Sequence, residues 1–326
     1  MNPGFWPVAL ACLGLGGAPL HAESAAQKPA IFSTLNVIQL QSGRVTAIET
    51  KSGVFESPNW APDGKSLLIN QDGRFWKILL LDPLAGGTRE PFDTGNTSSC
   101  WGEHAYSPDG KWLAISCSTP GNGGPDVYIV PASGGAPRRI TQHPISFFHG
   151  WSPDGATIVF TSIRDGHEDI YTIPAAGGAE TRLTTTGLND GAEFTPDGQY
   201  IYFNSDRSGS MQIWRMRPDG GKQEQVTSDE FNNWYPHISP DGKSMLFLSY
   251  DKGVGISSHP MNKDVALRLM SLSDNQIRVL VRLFGGQGTI DSPCWSPDSH
   301  SLAFVSYQVL PASDAGSLKR PAGETK

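Results

Sequence analysis

One short phrase returns six times along the chain: a large apolar or aromatic residue, a small or polar residue, then Pro-Asp-Gly. It occupies residues 60–64, 106–110, 151–155, 194–198 and 238–242, and closes at 295–299 with Ser299 in place of the glycine. Successive prolines (Pro62, Pro108, Pro153, Pro196, Pro240, Pro297) lie 46, 45, 43, 44 and 57 residues apart. Self-similarity at such a period is the mark of a solenoid or a propeller. The phrase is itself a turn. Proline presets one backbone angle, aspartate suits the next position, and glycine accepts the positive φ that follows.

Between turns the order of elements repeats. A strand carrying the aromatic residue (strand a) runs into the turn. An apolar strand b leaves it, as at 66–69, 112–115, 157–160, 200–203 and 244–247. A polar loop, a strand c such as 169–173 or 212–216, and a Gly-Gly turn (Gly86-Gly87, Gly134-Gly135, Gly177-Gly178, Gly220-Gly221) lead to strand d. The last unit holds only strands a and b, and the first segment, 35–50, holds only c and d. Together they make one blade. The pattern therefore predicts an all-β, six-bladed β-propeller of four-stranded blades over 35–310, closed by the N-terminal c and d strands joining the C-terminal a and b strands. Closure removes the exposed sheet edges that invite aggregation.

The ends read differently. Residues 1–22 form a signal peptide: an apolar run too short and too broken by Gly and Pro to span a membrane, ending at a cleavage site Leu20-His21-Ala22. Cys12 stands in a faint lipoprotein context whose apolar run is very short. Residues 23–34 read as a mobile leader and 311–326 as a disordered tail. No later stretch is apolar enough for a span. The expected product is a monomer in the periplasm or secreted. Export places Cys100 and Cys117, which flank the second turn, in an oxidising compartment. A disulfide between them and two buried thiols both remain open. Net charge is −7, and no Lys/Arg face is clustered, which excludes a nucleic-acid partner.

The Trp-Ser-Pro-Asp-Gly phrase, the Arg164-Asp165-Gly166 loop, the Ile170-Tyr171 strand and the Gly-Gly turns resemble the repeats of TolB-type propellers. The resemblance covers about residues 35–307. It implies a fold more specifically than an activity. TolB itself carries an additional N-terminal domain, for which residues 23–36 are expected to leave no room.

In such a fold the turns share one face, and the d–a and b–c loops share the other, around the mouth of the central channel. Residues preceding the turn on strand a approach that channel. His104 and His149 stand four residues before the motif proline, with Glu103 beside His104. Glu193 and His237 stand three before it. Asp190, Asn233, Trp234, Tyr235, Gln287 and Asp291 lie just above. The longest repeat holds an enlarged b–c loop, 251–264, which adds His259. Two functional readings follow. In the first, the protein binds an envelope protein or a glycan at the loop face through Glu103, His104, Asn233, Trp234, Tyr235, Gln287 and Asp291. The aromatic residues Trp101, Phe147, Phe148, Trp234 and Tyr235 fall in d–a loops, either to stack on sugars or to pack on neighbouring loops. In the second, His104, His149, His237 and His259 hold a divalent metal, and His149, His237, Glu193 and Asp190 perform lyase or hydrolase chemistry on an oligosaccharide. Oligogalacturonate lyases, with histidines and a glutamine around a channel metal, supply the precedent that the resemblance implies. The motif aspartates are turn residues and excluded from catalysis.

Overall fold

Five of the six turn phrases fold into the same hydrogen-bonded knot. The hydroxyls of Ser107, Ser152, Thr195, Ser239 and Ser296 donate to the aspartate two residues on, at 2.5–2.7 Å. That carboxylate also accepts the N–H two residues further. The hydroxyl oxygen in turn accepts the N–H that opens strand b. The first copy has Ala61 in place of the hydroxyl, and Asp63 keeps only the bond from Lys65 N, 2.9 Å. The residue after each aspartate is left-handed, from Gly64 (φ 67°) to Gly242 (φ 70°), and Ser299 takes the same conformation at 64°. These hydrogen bonds hold the carboxyls of Asp109, Asp154, Asp197, Asp241 and Asp298 below their ordinary range.

A computed structural model describes residues 29–80 and 88–310. Their 23 strands make six sheets. Blade 1 is Phe55–Trp60, Ser66–Gln71, Arg74–Leu79 and Thr88–Pro91. Blade 2 is Ser99–Tyr106, Trp112–Ser118, Asp126–Pro131 and Arg138–Arg139. Blade 3 is Ser146–Trp151, Thr157–Arg164, His167–Pro174 and Thr181–Arg182. Blade 4 is Asn189–Phe194, Ile201–Ser205, Gln212–Met216 and Glu224–Gln225. Blade 5 is Asn232–Ile238, Ser244–Tyr250, Lys263–Ser271 and Ile277–Gly285. Each pairs antiparallel in chain order, a to d. The fold is thus a six-bladed propeller of four-stranded blades, and no element of the described residues is a helix that could cross a membrane.

Blade 6 closes the ring. Strand Ala30–Gln39 pairs with Ser301–Leu310 along its whole length, from Ala30↔Leu310 to Gln39↔Ser301, and with Val45–Ser52 on its other side. Its strand a is reduced to a single bridge, Trp295↔Leu302. The closing strand begins at Ala30, so residues 30–34 of the expected leader are strand, because every one of them has a partner in 306–310. The signal peptide, Cys12, residues 23–28, Gly86-Gly87 and the tail 311–326 lie outside the described residues.

Strand b and the aromatic of strand a fill the spaces between blades. Leu67, Leu113, Ile158, Ile201 and Leu246 are fully buried. Trp151 and Trp295 each reach back to the preceding blade, donating Nε1–H to Ala105 O (3.0 Å) and His237 O (2.9 Å). Cys100 and Cys117 are directly paired on neighbouring strands of blade 2 and form a disulfide, and Cys294 is a buried free thiol. The closing strand contributes Leu35, fully buried with Phe55 and Val305. Leu35→Ala should cost about 2–5 kcal/mol, seen as a lower urea midpoint at unchanged slope. An unchanged midpoint would show that closure contributes little to global stability.

Candidate functional site

The inner strands do not run regularly. In blades 1 to 5 the a–b register slips between Glu56 and Asn59, Cys100 and His104, Phe148 and Gly150, Asp190 and Glu193, and Trp234 and His237. A bulge leaves residues unpaired and re-aims their side chains, and such bulges gather at functional sites. Five residues before the motif proline, Ser57 (φ 58°), Gly191 (φ 66°) and Tyr235 (φ 55°) are left-handed. At Gly191 this conformation is combined with crowding: a Cβ there would meet Asn204 Oδ1 at 2.4 Å. Six residues before the proline, at the loop-face end, three blades carry an acid: Glu56, Asp190 and Asp291.

These acids meet Glu103 from the bulge of blade 2. Asp291 is 3% exposed and accepts Gly288 N–H at 2.9 Å. Burial, then the charges of Glu56 and Glu103, push its carboxyl well above the ordinary range. Burial likewise raises Glu103 to about 7, and burial with Glu103 beside it raises Glu56 to about 7. Glu56 keeps part of its surface open to the channel while protein surrounds it densely. Glu103 Oε2 and Ser57 Oγ are buried with no hydrogen-bond partner among the described residues. Glu168, beside Asp190, is raised to about 8 by burial and by that neighbour.

Beside Glu103 lies an oppositely tuned pair. His149 Nε2 is 2.8 Å from Asp190 Oδ1, an ion-pair distance without hydrogen-bond alignment. Burial opposes the imidazolium, but Asp190 and then Glu103 outweigh it, so His149 titrates above its ordinary value. Burial also opposes the Asp190 carboxylate. His149 and the donated Thr161 Oγ–H (2.9 Å) still hold it well below the usual range.

The enlarged loop of blade 5 reaches back over this cluster. His259 Nδ1 lies 2.9 Å from Tyr235 Oη, and its ring packs 4.4 Å from that of Trp234. Ser257 Oγ–H binds Asp206 of blade 4, and Val254 O accepts from Asn232. Lys263 and Asp264, expected in the loop, belong to strand c. Part of the extra length of this repeat is spent on two nine-residue strands, Lys263–Ser271 and Ile277–Gly285.

The sequence-predicted residues divide. Glu103, His149, Asp190, Tyr235, His259 and Asp291 share the loop-face end of the channel. Gln287 lies beside them, half-buried, in the turn before Gly288. His104 does not join them. It is fully buried against Phe75, with Nδ1 2.6 Å from Gly102 O and Nε2 3.3 Å from Leu68 O, and burial lowers it to about 4. Glu193 and His237 link blades instead: Nδ1 of His237 is 2.7 Å from Glu193 Oε2, and its Nε2 binds Ile290 O. Asn233 is fully buried among Gln212, Thr227 and Asp229. The four histidines thus have four separate sets of partners. No group of three His, Cys, Asp or Glu among the described residues is arranged to hold a metal, so the predicted ligand set does not fit one. The aromatics lie on strand a, not in loops. Trp101 packs edge-on against Phe147 at 6.3 Å, while Phe148 and Trp234 are fully buried. Glu56 and Ser57 were not singled out from sequence. The signal was available, since Glu56, Asp190 and Asp291 share one place relative to the motif proline. Two surface grooves, of about 330 and 280 Å3, lie elsewhere, beside Arg282 of blade 5 and between Trp112 and Asp154 on the turn face.

The family described as TolB beta propeller domain, PD40, matches residues 76–190 and 145–278. An uncharacterized protein of Agrobacterium fabrum is 42% identical over 277 residues, which cover 84% of this chain and 92% of that one. A solved structure from Agrobacterium tumefaciens, named for its likeness to TolB, superposes with a TM-score of 0.81 at 41% identity and covers 85% of this chain and 99% of its own. TolB of Acinetobacter baumannii shares the fold, with a TM-score of 0.56 at 20% identity over 78% of this chain and 64% of that one.

Two measurements test the electrostatics. A glutamate with a raised folded value binds a proton that the unfolded chain releases near 4.5. The pH-dependent cost of its burial is therefore absent below that pH and develops as pH rises to about 7. Between those limits wild type should lose on the order of 1–3 kcal/mol of stability that Glu103→Gln retains, as read by urea denaturation across pH. Equal pH profiles would reject the assignment. In Asp190→Asn, the His149 imidazole should titrate at lower pH by proton NMR. An unmoved titration would mean that Asp190 is not its counter-charge.

Proposed function

Because this chain belongs to the TolB β-propeller family, we propose that it is an exported binding propeller of the bacterial envelope that grips a segment of a partner polypeptide at the loop face of its channel. The observation that carries this reading is the convergence of inner-strand bulges on one end of the channel, where carboxyls from blades 1, 2 and 6 gather and a buried glutamate oxygen and a buried serine hydroxyl have no partner among the described residues. Rigid scaffolds commonly recognise partners through the irregular residues they hold in place. A polypeptide, rich in N–H donors, suits a lining of acceptors. A sugar is favoured less, since Trp101 and Phe147 are engaged with each other and Trp234 lies beneath His259. The disulfide of blade 2 and the apolar segment 5–20 support an oxidising, extracytoplasmic location.

Site-directed photocrosslinking in a cell that makes the protein tests the reading. A photoreactive residue at Gln287, on the loop face, should give discrete protein adducts. The same residue at Lys111, exposed on the turn face, should give none. Adducts from Lys111 alone, or from neither position, would defeat it.

A further inference from the structure

The floor of this site has a chemistry of its own. Gly102 lies between two blades' acceptors: a Cβ placed there would be 2.3 Å from Ser57 Oγ and 3.4 Å from Asp291 Oδ2. Its φ is not in the left-handed region, so glycine here makes room for the close approach of Ser57 rather than satisfying a backbone conformation. Gly288 sits similarly on the neighbouring side. A Cβ on it would meet Glu56 Oε2 at 2.9 Å and Tyr307 Oη at 2.4 Å, and its N–H binds Asp291. Glu56 and Asp291 thus line a cradle whose remaining wall is the Ser57 hydroxyl, and Glu103, next in sequence to Gly102, lies near enough for its charge to act on both. That hydroxyl is fully buried and has no partner among the described residues.

A buried hydroxyl without a partner is costly, and a buried carboxyl without a counter-charge costs more. None of the salt bridges of the described residues includes Glu56, Glu103 or Asp291. The channel's ion pairs, His149–Asp190 and His237–Glu193, leave them out. The nearest cation, the His149 imidazolium, is paired with Asp190 and acts on Glu103 only through its charge, so the cradle offers acceptors in several directions and no salt bridge among the described residues reaches Glu56 or Asp291. A ligand to match it carries positive charge and several N–H donors at one small centre. A shared metal shell does not fit, since no three such side chains converge closely enough. An ammonium is compact and has three rotatable donors, whereas a guanidinium is a wide planar fork suited to bidentate pairs.

We propose that the cradle of Glu56, Ser57, Gly102, Glu103 and Asp291 receives a primary ammonium group of the partner polypeptide, either a lysine side chain or the chain's amino terminus. This rests on the binding reading above and names its chemistry. Recognition is then a hydrogen-bonded ion pair at the base of the mouth, and the partner segment continues outward past Tyr235 and His259.

Isothermal titration of the full folded protein, with Nα-acetyl-lysine amide and alanine amide as probes, distinguishes the two sources. Saturable one-to-one binding of the first assigns a lysine, and of the second an amino terminus. Either supports the proposal if Glu56→Gln and Gly102→Ala each weaken it by about tenfold or more. Chemical-shift mapping on wild type, with the largest changes at the amides of Gly102 and Gly288, keeps the test independent of variant folding. Four outcomes overturn it: no binding of either probe, equal binding of the neutral N-acetyl-norleucine amide, affinity unchanged in a folded Glu56→Gln protein, or calcium alone binding at these amides. Crosslinks from Gln287 persisting beside any of these would leave the binding function standing and remove only the ammonium. Their absence together with probe binding would do the reverse.

Discussion

Everything in this molecule depends on the ring being shut. Blades pack only on their neighbours, so an open array would leave two faces of apolar side chains in water and two sheet edges unpaired. The chain solves this by spending its first described strand on its last. Ala30–Gln39 adds to Ser301–Leu310 without a break in register, and Leu35 enters the same cluster as Val305 from the other end of the sequence. Contacts also run along the turn face, where at four of the six blade junctions the motif proline of one blade meets the motif glycine of the next. Pro62 lies against Gly110, Pro108 against Gly155 and Pro153 against Gly198, and Pro297 of the last blade lies against Gly64 of the first.

That the blades number six could be read from the motif because each part of the phrase has a local task that nothing distant can override. Proline, the hydroxyl-bearing residue, aspartate and glycine complete their hydrogen bonds within six residues of one another. Closure was legible by subtraction, since strands c and d were missing from one end and a and b from the other. The start of the closing strand was not. Ala30-Ile31-Phe32-Ser33-Thr34 carries no turn signal to mark its boundary, and its strand character comes from partners about 270 residues away.

The site was legible in outline and misassigned in detail for one physical reason. Strand alternation is a safe guide to side-chain direction only where pairing is regular. The bulges of blades 1, 3, 4 and 5 insert one residue and reverse the facing of those before it, whereas that of blade 2 inserts two, leaving His104 paired with Ile115 while His149 is itself the inserted residue. His104 and His149 occupy the same place relative to the proline. Yet the slip in blade 2 spans Cys100 to His104 and that in blade 3 spans Phe148 to Gly150. One histidine therefore points into the inter-blade core and the other toward the channel. Bulge position depends on local contacts, such as Asn204 Oδ1 accepting Tyr235 N–H at 3.1 Å, and these have no pattern along the chain.

The two faces differ in how completely their polar groups are used. On the turn face the motif carboxylates accept donors from their own hairpins, and their neighbours across blades are proline and glycine. This leaves a surface that is strong and chemically spent. On the loop face burial raises the proton affinity of Glu56, Glu103 and Asp291, Glu103 raises that of Glu56, and both raise that of Asp291. A chain under pressure for stability alone would replace such a cluster with apolar residues of similar size at no loss. Its cost is tolerable here because the inter-blade cores and the closed ring are built from other residues and do not rely on it. Buried acids outside the inter-blade cores mark the loop end of the channel as the place where the fold gives up stability, which is the feature the proposed binding role would use.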